Sequence, residues 1–257
     1  MKYLSILCFI VLVSYQASAS LLISPTYAMF DTNDRDKEVI LINTSNETRT
    51  YRLSWEDKRQ LANGNYEDEV QNYPYSAAPH LRFSPRQVKL AAGERQVIKI
   101  LKRNVNALDR GDYRSHLNFT VLPRESGASQ ETQSGISIRL ESLINYSIPV
   151  IFKVGNDSSR AQIEAVTWET KDALSVNISK NGLSSIFGRL EIWGTINGQD
   201  KRLDYLNGVN IFRESTLMTF DLNIPKDVMD SQPRNIRVVY LDVITNQTQS
   251  EIFVKNN

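Results

Sequence analysis

Cysteine and histidine are scarce in this chain, whose 257 residues include one cysteine and two histidines. A zinc site built from thiolate and imidazole ligands takes three or four such residues, so the composition argues against one. The single cysteine, Cys8, falls in an N-terminal segment that we expect to be removed, which leaves neither a thiol nor a disulfide. Because small exported domains usually depend on disulfides, we expect core packing alone to hold this chain together. We expect no metal and no cofactor.

An excess of charge is also missing, because 30 lysine and arginine residues stand against 29 aspartate and glutamate residues. A broad nucleic-acid surface needs a basic excess to displace counterions from phosphates, so we expect no nucleic-acid partner. With 11 glycines and 8 prolines, the chain is neither collagen-like nor proline-rich. Beyond the N-terminus, no segment reaches the roughly 18 continuous apolar residues of a membrane-spanning helix.

The first 19 residues have the pattern of a secretory signal peptide. Lys2 supplies a positive charge, residues 4–13 are apolar, and Ala17-Ser18-Ala19 is a small-residue cleavage site. The apolar run is too short to span a bilayer, although an uncleaved N-terminal anchor is an alternative. We predict that residues 1–19 are a signal peptide and that the protein is exported without stable insertion in the membrane.

The rest of the chain consists of short segments in which apolar and polar residues alternate. Tyr51, Leu53 and Trp55, for example, alternate with polar neighbours. Such segments recur at roughly the 8–12-residue spacing of β-sandwiches and barrels, and no long stretch has helical spacing. In the second half the candidate strands are 163–168, 174–178, 190–196, 209–212, 218–222, 236–243 and 252–254. The sequence therefore predicts an all-β protein.

Two polar segments interrupt this pattern. Residues 56–80 are mostly polar and predict a long loop or an excursion between strands. Residues 124–135 contain no apolar residue except Ala128 and predict a mobile loop.

An unusually long alternating segment follows, from Ile136 to Phe152. It exceeds the mean strand length of about five to six residues so far that one small sandwich cannot pair all of it. We therefore expect part of it to lie at a sheet edge, where free N–H and C=O groups accept another strand. The alternative is a strand that serves both sheets or bends at a bulge. Its apolar row is Ile136, Ile138, Leu140, Ile144, Tyr146, Ile148, Val150 and Phe152, and Ser142 is the only polar member.

Residues 153–159 are rich in Gly, Asn, Asp and Ser and predict a hinge between two domains. The predicted organisation is a signal peptide (1–19), an N-terminal domain (20–153) and a C-terminal domain (154–257). Both domains have the size of immunoglobulin-like sandwiches.

The order of several segments resembles the periplasmic pilus-assembly chaperones of bacterial chaperone–usher systems, the PapD-like family. Those segments are 22–30, 40–44, 81–86 with 91–94, 113–119 with Pro123, and 136–152 with Ile148-Pro149-Val150. The resemblance covers essentially the first domain, and the second is supported mainly by its size and strand pattern. The departures described below indicate a divergent branch of the family.

The resemblance implies two immunoglobulin-like domains in a boomerang arrangement and a periplasmic location. It implies a chaperone that stabilises pilus or fimbrial subunits lacking their last strand and delivers them to an outer-membrane usher. The chaperone lends its own G strand to the subunit, which is strand addition at an exposed edge. The lent row would be Ile136, Ile138, Leu140, Ser142 and Ile144. A homodimer that caps its own lent strand is left open.

The sequence departs from the family where two cations in the cleft between the domains anchor the subunit's terminal carboxylate. Tyr27 and Pro149 stand at those two positions, and neither pairs with a carboxylate as a cation does, although a tyrosine hydroxyl can donate one hydrogen bond. Arg114 and Arg139 are the nearby substitutes. The alternative for each is an arginine on a solvated sheet face.

The family also fixes the angle between its domains with a charge cluster. Asp112, Lys153 and Asp242 fall at the matching places and predict an interdomain ion network. The alternative is three unrelated surface charges, each of which contributes little.

Two other classes of function are alternatives to a chaperone. An enzyme is disfavoured, because His80 and His116 are the only imidazoles, and the chain has neither a G-x-S-x-G nucleophile motif nor a phosphate-binding glycine loop. We expect no catalysis. The remaining alternative is an exported structural or adhesive protein with two β-sandwiches, either a fibre subunit or a surface binding module.

Overall fold

The computed structural model describes residues 20–68, 70–103, 105, 108–123 and 144–254. These residues form two successive pairs of facing β-sheets. Strands up to Val154 build the first pair, called here the first sandwich, and strands from Arg160 onward build the second sandwich. The prediction of an all-β protein with two sandwich domains is confirmed.

The first sandwich contains one sheet in the order β1-β3-β9-β7 and one in the order β2-β11-β10-β4-β8, and β5 and β6 form a separate hairpin. The strands are β1 (Leu21–Ser24), β2 (Ala28–Phe30), β3 (Asp36–Asn43), β4 (Arg49–Glu56), β5 (Arg59–Gln60), β6 (Tyr66–Glu67), β7 (Leu81–Ser84), β8 (Gln87–Leu90), β9 (Arg95–Lys102), β10 (Gly111–Val121) and β11 (Tyr146–Val154).

The first segment of the chain contributes to both sheets of this sandwich. β1 pairs antiparallel with β3, and after Pro25 the chain crosses so that β2 pairs parallel with β11. β2 is short, and its partners on β11 run only from Val150 to Phe152. The shortness of β2 therefore limits how many residues of β11 it pairs with.

Alternation along each strand explains the core of the first sandwich. On β3, Val39 and Leu41 are fully buried, whereas Ile40 and Ile42 are only partly buried. On β11, Ile148, Val150 and Phe152 point into the same core, as the apolar row in the sequence predicts. Ring stacking of Tyr113 on Phe152, with centroids 5.2 Å apart, packs this end of β11 against β10.

The second sandwich has sheets in the orders β12-β13-β16 and β15-β14-β17-β18. Its elements are β12 (Arg160–Trp168), β13 (Ala173–Asn181), β14 (Ile186–Ile196), β15 (Gln199–Ile211), β16 (Leu217–Asn223), the short helix α1 (Lys226–Asp230), β17 (Arg234–Asp242) and β18 (Gln247–Phe253). Each candidate strand predicted in this half falls on one of these strands. The segment 209–212 covers only the end of β15, and the ends of the other candidates differ by up to five residues. The helix was not predicted, because five residues are too few to show a helical period.

The second sandwich has its own core. Leu174, Val176 and Ile178 on β13 are fully buried and face Leu190 and Ile192 on β14. Side chains also join the two sheets at one margin, because Gln249 Oε1 accepts from Ala161 N at 2.7 Å and Ser250 Oγ accepts from Ile163 N at 2.9 Å. Backbone donors of β12 are thus satisfied by residues of β18.

A third apolar cluster lies between the sandwiches. Ile151 and Phe212 are almost fully buried there together with Phe187, and Met29 packs on the same cluster. Ile151 belongs to the row of β11 that faces away from the core of its own sandwich. The second sandwich therefore covers a face that the alternation pattern predicts to be exposed to solvent.

Residues 56–80 form an excursion rather than an unstructured loop. They carry the β5–β6 hairpin and a 3-10 helix over Ala78–His80. The segment returns to the sheet where β4 has ended, because Arg114 N donates to Tyr75 O at 2.8 Å and Ser76 bridges to Arg114. Of the two sequence readings of this segment, the excursion is the one observed.

No helix in the described part of the chain is both long and apolar enough to cross a membrane.

Candidate functional site

The edge of the five-stranded sheet at β11 is incompletely paired. On one side β11 pairs with β10 over its whole length, from Tyr146 opposite Phe119 to Val154 opposite Gly111. On the other side β2 reaches only Val150 to Phe152. Within the described residues, the stretch from Tyr146 to Pro149 has no strand on that side.

An edge of this kind can accept a further strand. In an antiparallel pair only alternate backbone groups bond to the partner strand, and the others point to the opposite side. Residues 146–149 pair with β10 on one side only, so alternate residues of this stretch present their backbone groups to the open side. Pro149 has no N–H to donate. Ile148 on this stretch is 4% exposed, so its side chain is fixed in the core while its backbone remains at the margin.

Two edge strands of the second sandwich, β12 and β15, differ from β11 in this respect. The backbone of β12 is bonded by the side chains of Gln249 and Ser250. On the other edge, β15 pairs with β14 through two register shifts, and it carries the exposed charges Lys201 and Arg202. Bulges and charges on an edge strand discourage further pairing. The margin at β11 lacks these features in the described residues.

The row expected to be lent to a subunit falls mostly outside the described residues. Ile136, Ile138, Leu140 and Ser142 lie in the undescribed stretch 124–143, as do Arg139 and the predicted loop 124–135. Ile144 is described, and it is 56% exposed, whereas Ile148 and Val150 further along the same row are buried. The row therefore leaves the core between Ile148 and Ile144.

Tyr27 and Pro149 each lie one residue before a pair of partners in the ladder between β2 and β11. Pro149 precedes Val150, which pairs with Ala28, and Tyr27 precedes Ala28. Tyr27 is 47% exposed. Since neither residue is a cation, this position offers at most the tyrosine hydroxyl to a carboxylate.

Arg114 is buried between the two sandwiches and is not solvated. It is 3% exposed, and its Nη2 lies 2.7 Å from Glu214 Oε1 of the second sandwich. Its guanidinium carbon lies 3.6 Å from the centroid of the Phe212 ring. The alternative of an arginine on a solvated sheet face is wrong, because the second sandwich covers the outer face of β10. The role of Arg114 as an anchor for a subunit carboxylate stays a prediction, and its Nη2 is already paired with Glu214.

The expected ion network of Asp112, Lys153 and Asp242 does not form among the described residues. Asp112 is buried and accepts from the backbone N–H of Ser185 at 3.0 Å. Burial raises the pKa of the Asp112 carboxyl, and the bond from Ser185 acts in the opposite direction.

Asp242 is engaged in a local turn of the second sandwich. Its Oδ1 accepts from the N–H groups of Ile244 and Thr245, and its Oδ2 accepts from Gln249 Nε2 at 2.7 Å. Lys153 lies opposite Asp112 in the ladder, and it lines a cavity of about 370 Å³ together with Asp242 without an ion pair to either carboxylate. The charge pair that joins the sandwiches is Arg114–Glu214 instead.

His116 follows Arg114 on the row of β10 that faces away from the first core, and it is 5% exposed. Burial lowers its pKa to about 3, and the nearby positive charge of Arg114 acts in the same direction. The ring packs edge-on against Tyr66, with centroids 5.8 Å apart. Because the His116 ring stays neutral and is covered by Tyr66, its role here is packing.

Sequence reasoning missed the residues that join the two sandwiches. Gln60 and Tyr73 lie in the polar segment 56–80, and Glu214 lies in a turn after β15. The available signal was the presence of Tyr66, Tyr73 and Tyr75 in a mostly polar segment, since aromatic side chains usually find a surface to pack on.

Comparisons with known proteins identify the fold. No protein-family model and no curated protein matches the chain. Among solved structures, the class 5 fimbriae chaperone CfaA is 12% identical with a TM-score of 0.50, and it covers 92% of this chain and 100% of its own. The CsuC–CsuE chaperone–tip adhesion subunit complex of the archaic chaperone–usher Csu pili of Acinetobacter baumannii gives 16% identity, a TM-score of 0.50, and coverage of 91% and 98%. The Pseudomonas aeruginosa CupB2 chaperone gives 10%, 0.51, and coverage of 92% and 100%.

At these identities the likeness establishes a shared fold. The chain has the two-domain β-sandwich fold of the fimbrial chaperones of chaperone–usher systems, over nearly the full length of both proteins. The resemblance inferred from the sequence is confirmed for the fold, including the second sandwich, which the sequence motifs did not cover.

Proposed function

We propose that this protein is a periplasmic chaperone that binds and stabilises incomplete pilus or fimbrial subunits and delivers them to an outer-membrane usher. The proposal assigns residues 20–153 to the N-terminal chaperone domain and 154–257 to the C-terminal domain, after a signal peptide over 1–19. The subunit pairs with the margin of β11 and with the alternating segment that precedes it in the chain.

The open margin at Tyr146–Pro149 is the observation that carries the proposal. It continues into a segment whose even-numbered residues are almost all apolar, and the last of them, Ile144, is already exposed. Strand addition at such a margin obtains affinity from main-chain hydrogen bonds and specificity from alternate side chains. An incomplete sandwich supplies the complementary groove.

The energies are adequate for a transient complex. Ile136, Ile138 and Leu140 would each contribute about 1.5–3 kcal/mol if fully buried in a subunit. Part of this free energy offsets the ordering of the segment and the loss of rigid-body freedom. Because Tyr27 and Pro149 offer no cation, the lent row is the main source of affinity in this proposal.

Two substitutions in the lent row test the proposal. Ile138→Asp and Leu140→Asp each place a charge in the subunit groove, so each should weaken subunit binding by at least about tenfold, which corresponds to 1.4 kcal/mol. The measurement is co-purification of the tagged protein from the periplasm of its own host, with the bound chain identified and its stoichiometry obtained from the intact mass. We expect a one-to-one complex with a subunit that lacks its last strand.

Ser137→Asp is the matched control, because it adds the same charge to the opposite row. It should leave binding unchanged, and the circular dichroism of all three variants should match that of the unchanged protein. If Ile138→Asp and Leu140→Asp retain the subunit, the lent row is wrongly assigned. If the protein from a subunit-producing host never carries a subunit, the exported structural or adhesive module is favoured.

A homodimer of the free protein would engage the same row and would dissociate in the same two variants. Light scattering of the subunit-free protein distinguishes this case from subunit binding.

A further inference from the structure

The two sandwiches are joined by two chain segments that contact each other over a short length. One is the 57–76 segment of the first sandwich, which includes the β5–β6 hairpin. The other is the 210–214 segment, where β15 of the second sandwich ends. Separate sandwiches in one chain move relative to each other by default unless their interface is extensive, so the strength of this contact matters.

Gln60 bonds to the backbone of the 210–214 segment as a neighbouring strand would. Its Nε2 donates to Asn210 O at 2.9 Å, and its Oε1 accepts from Phe212 N at 2.9 Å. One side-chain amide thus satisfies a carbonyl and an N–H that flank Ile211. Gln60 is 7% exposed, so both bonds are protected from water.

Glu214 receives three donors from the first sandwich. The backbone N–H of Gln60 donates to it at 2.9 Å, Arg114 Nη2 at 2.7 Å and the Tyr73 hydroxyl at 2.8 Å. The Glu214 side chain is 10% exposed. A buried carboxylate persists only when it is paired and hydrogen-bonded, and here these three donors all come from the other sandwich.

Arg213 adds to this contact with donors from the second sandwich and acceptors from the first. Its Nη1 donates to Asp112 O at 3.1 Å and its Nη2 donates to Arg110 O at 2.9 Å. Its guanidinium carbon lies 4.2 Å from the centroid of the Tyr75 ring. Residues 210, 212, 213 and 214 are therefore all held by groups of the first sandwich.

We propose that the 57–76 segment locks the two sandwiches in one orientation by binding the 210–214 segment through Gln60 and the donors to Glu214. The lock holds the margin of β11 and the second sandwich in a fixed relation before any partner arrives. This inference goes beyond the proposed function and does not depend on it, because it concerns the free protein alone.

Gln60→Glu tests the lock with little change of volume. The substitution replaces the N–H donor with an oxygen that faces Asn210 O, and it brings a second carboxylate near Glu214. Gln87→Glu is the matched control, because Gln87 is exposed on β8 of the same sandwich and the added charge is the same. Scanning calorimetry of the full chain should give one unfolding transition for the unchanged protein and the control, and two transitions for Gln60→Glu.

A distance measurement checks the orientation itself. Spin labels at Lys89→Cys and Lys201→Cys, in a Cys8→Ser background, report the separation of the two sandwiches from exposed sites. We expect a narrow distribution for the unchanged sequence and for Gln87→Glu, and a broad one for Gln60→Glu with its circular dichroism retained. If Gln60→Glu does not fold, Gln60→Ala takes its place with the same expectations.

Two results would overturn the lock. One is a folded Gln60 variant that keeps both the single transition and the narrow distribution. The other is an unchanged protein that already shows two transitions or a broad distribution.

Discussion

Single polar residues carry much of the contact between the two sandwiches. Arg114 and Gln60 are almost completely buried, yet each is the kind of residue that usually lies in water. The Arg114 Nη2 and the Gln60 side-chain amide bond to groups of the other sandwich, which offsets part of the cost of burying these side chains. Changes at single residues in these positions therefore affect the whole molecule.

His116 gives a residue-scale prediction about acid. Its pKa in the folded protein is lowered to about 3, from an ordinary value of 6.5, by burial and by the charges of Arg114 and Lys58, with Asp68 opposing. Between these two values the unfolded chain binds a proton that the folded chain does not, so stability falls as the pH falls. At about 1.4 kcal/mol per pH unit, lowering the pH from 6.5 to 4.5 costs roughly 2–3 kcal/mol through this residue.

His116→Gln removes that titrating group. We expect its free energy of unfolding, measured with urea, to decline by roughly 2 kcal/mol less than that of the unchanged protein over the same pH interval. An equal decline in both proteins would show that His116 is not the group responsible.

Gly188 on β14 gives a second residue-scale prediction, which concerns packing. A Cβ at this position would lie 2.2 Å from the Tyr240 ring, whose hydroxyl donates to Val209 O at 3.1 Å. Gly188→Ala should displace the ring from the core and destabilise the protein by about 2–3 kcal/mol in urea unfolding. Gly198→Ala is the comparison, since its positive φ strains the backbone but nothing lies within 4 Å of its Cβ. If Gly188→Ala costs no more than Gly198→Ala, the ring contact is not what constrains Gly188.

Sheet margins are where the two sandwiches differ at the scale of elements. Among the residues that the structure describes, β11 has a partner on both sides from Val150 to Phe152 alone. β12, in contrast, has side chains of β18 bonded to its backbone. Within the described residues, the margin of β11 therefore has unpaired backbone groups, whereas side chains bond to the margin of β12.

The closure of β12 can be removed with Gln249→Ala and Ser250→Ala together. The backbone donors of Ala161 and Ile163 then lose their acceptors, and we expect a loss of about 1–3 kcal/mol of stability. Hydrogen exchange should show faster exchange at these two amides, while amides of β14 stay protected. Thr248→Ala, at an exposed position of β18, serves as the control. Unchanged exchange at Ala161 and Ile163 would mean that the side-chain bonds do not protect this margin.

At the scale of the whole molecule, the sandwiches approach each other closely at Gly111. A Cβ there would lie 2.7 Å from the guanidinium carbon of Arg213 and 2.8 Å from Leu183 O, and the φ of Gly111 is +122°. Only glycine allows both this backbone conformation and this approach. The Arg213 side chain therefore occupies space that is available because Gly111 has no side chain.

Gly111→Ala should separate the sandwiches without removing any of their hydrogen-bonding side chains. We expect a larger radius of gyration in small-angle X-ray scattering and a lower unfolding temperature for the whole chain, because the added methyl group displaces Arg213. A variant with an unchanged radius of gyration would indicate that Arg213 finds another position without moving the second sandwich.

The sequence alone was sufficient for most of the strands and for the fold class. Alternation with period two decides which side of a strand faces the core of its own sandwich, and this is a local property. Val39 and Leu41, or Leu174 and Val176, could therefore be assigned without any tertiary information. The same property predicts that the row from Ile136 to Phe152 is too long for one sandwich, and most of that row before Tyr146 lies outside the described residues.

Only the tertiary structure decided what covers the outer faces. Arg114, His116 and Ile151 lie on rows that point away from the first core, and local alternation assigns such rows to solvent. They are buried because the 57–76 segment and the second sandwich lie against them. Arg114 and its partner Glu214, for example, are 100 residues apart in the chain. Contacts between such distant residues depend on how completed sandwiches meet, and no pattern along a single strand records that.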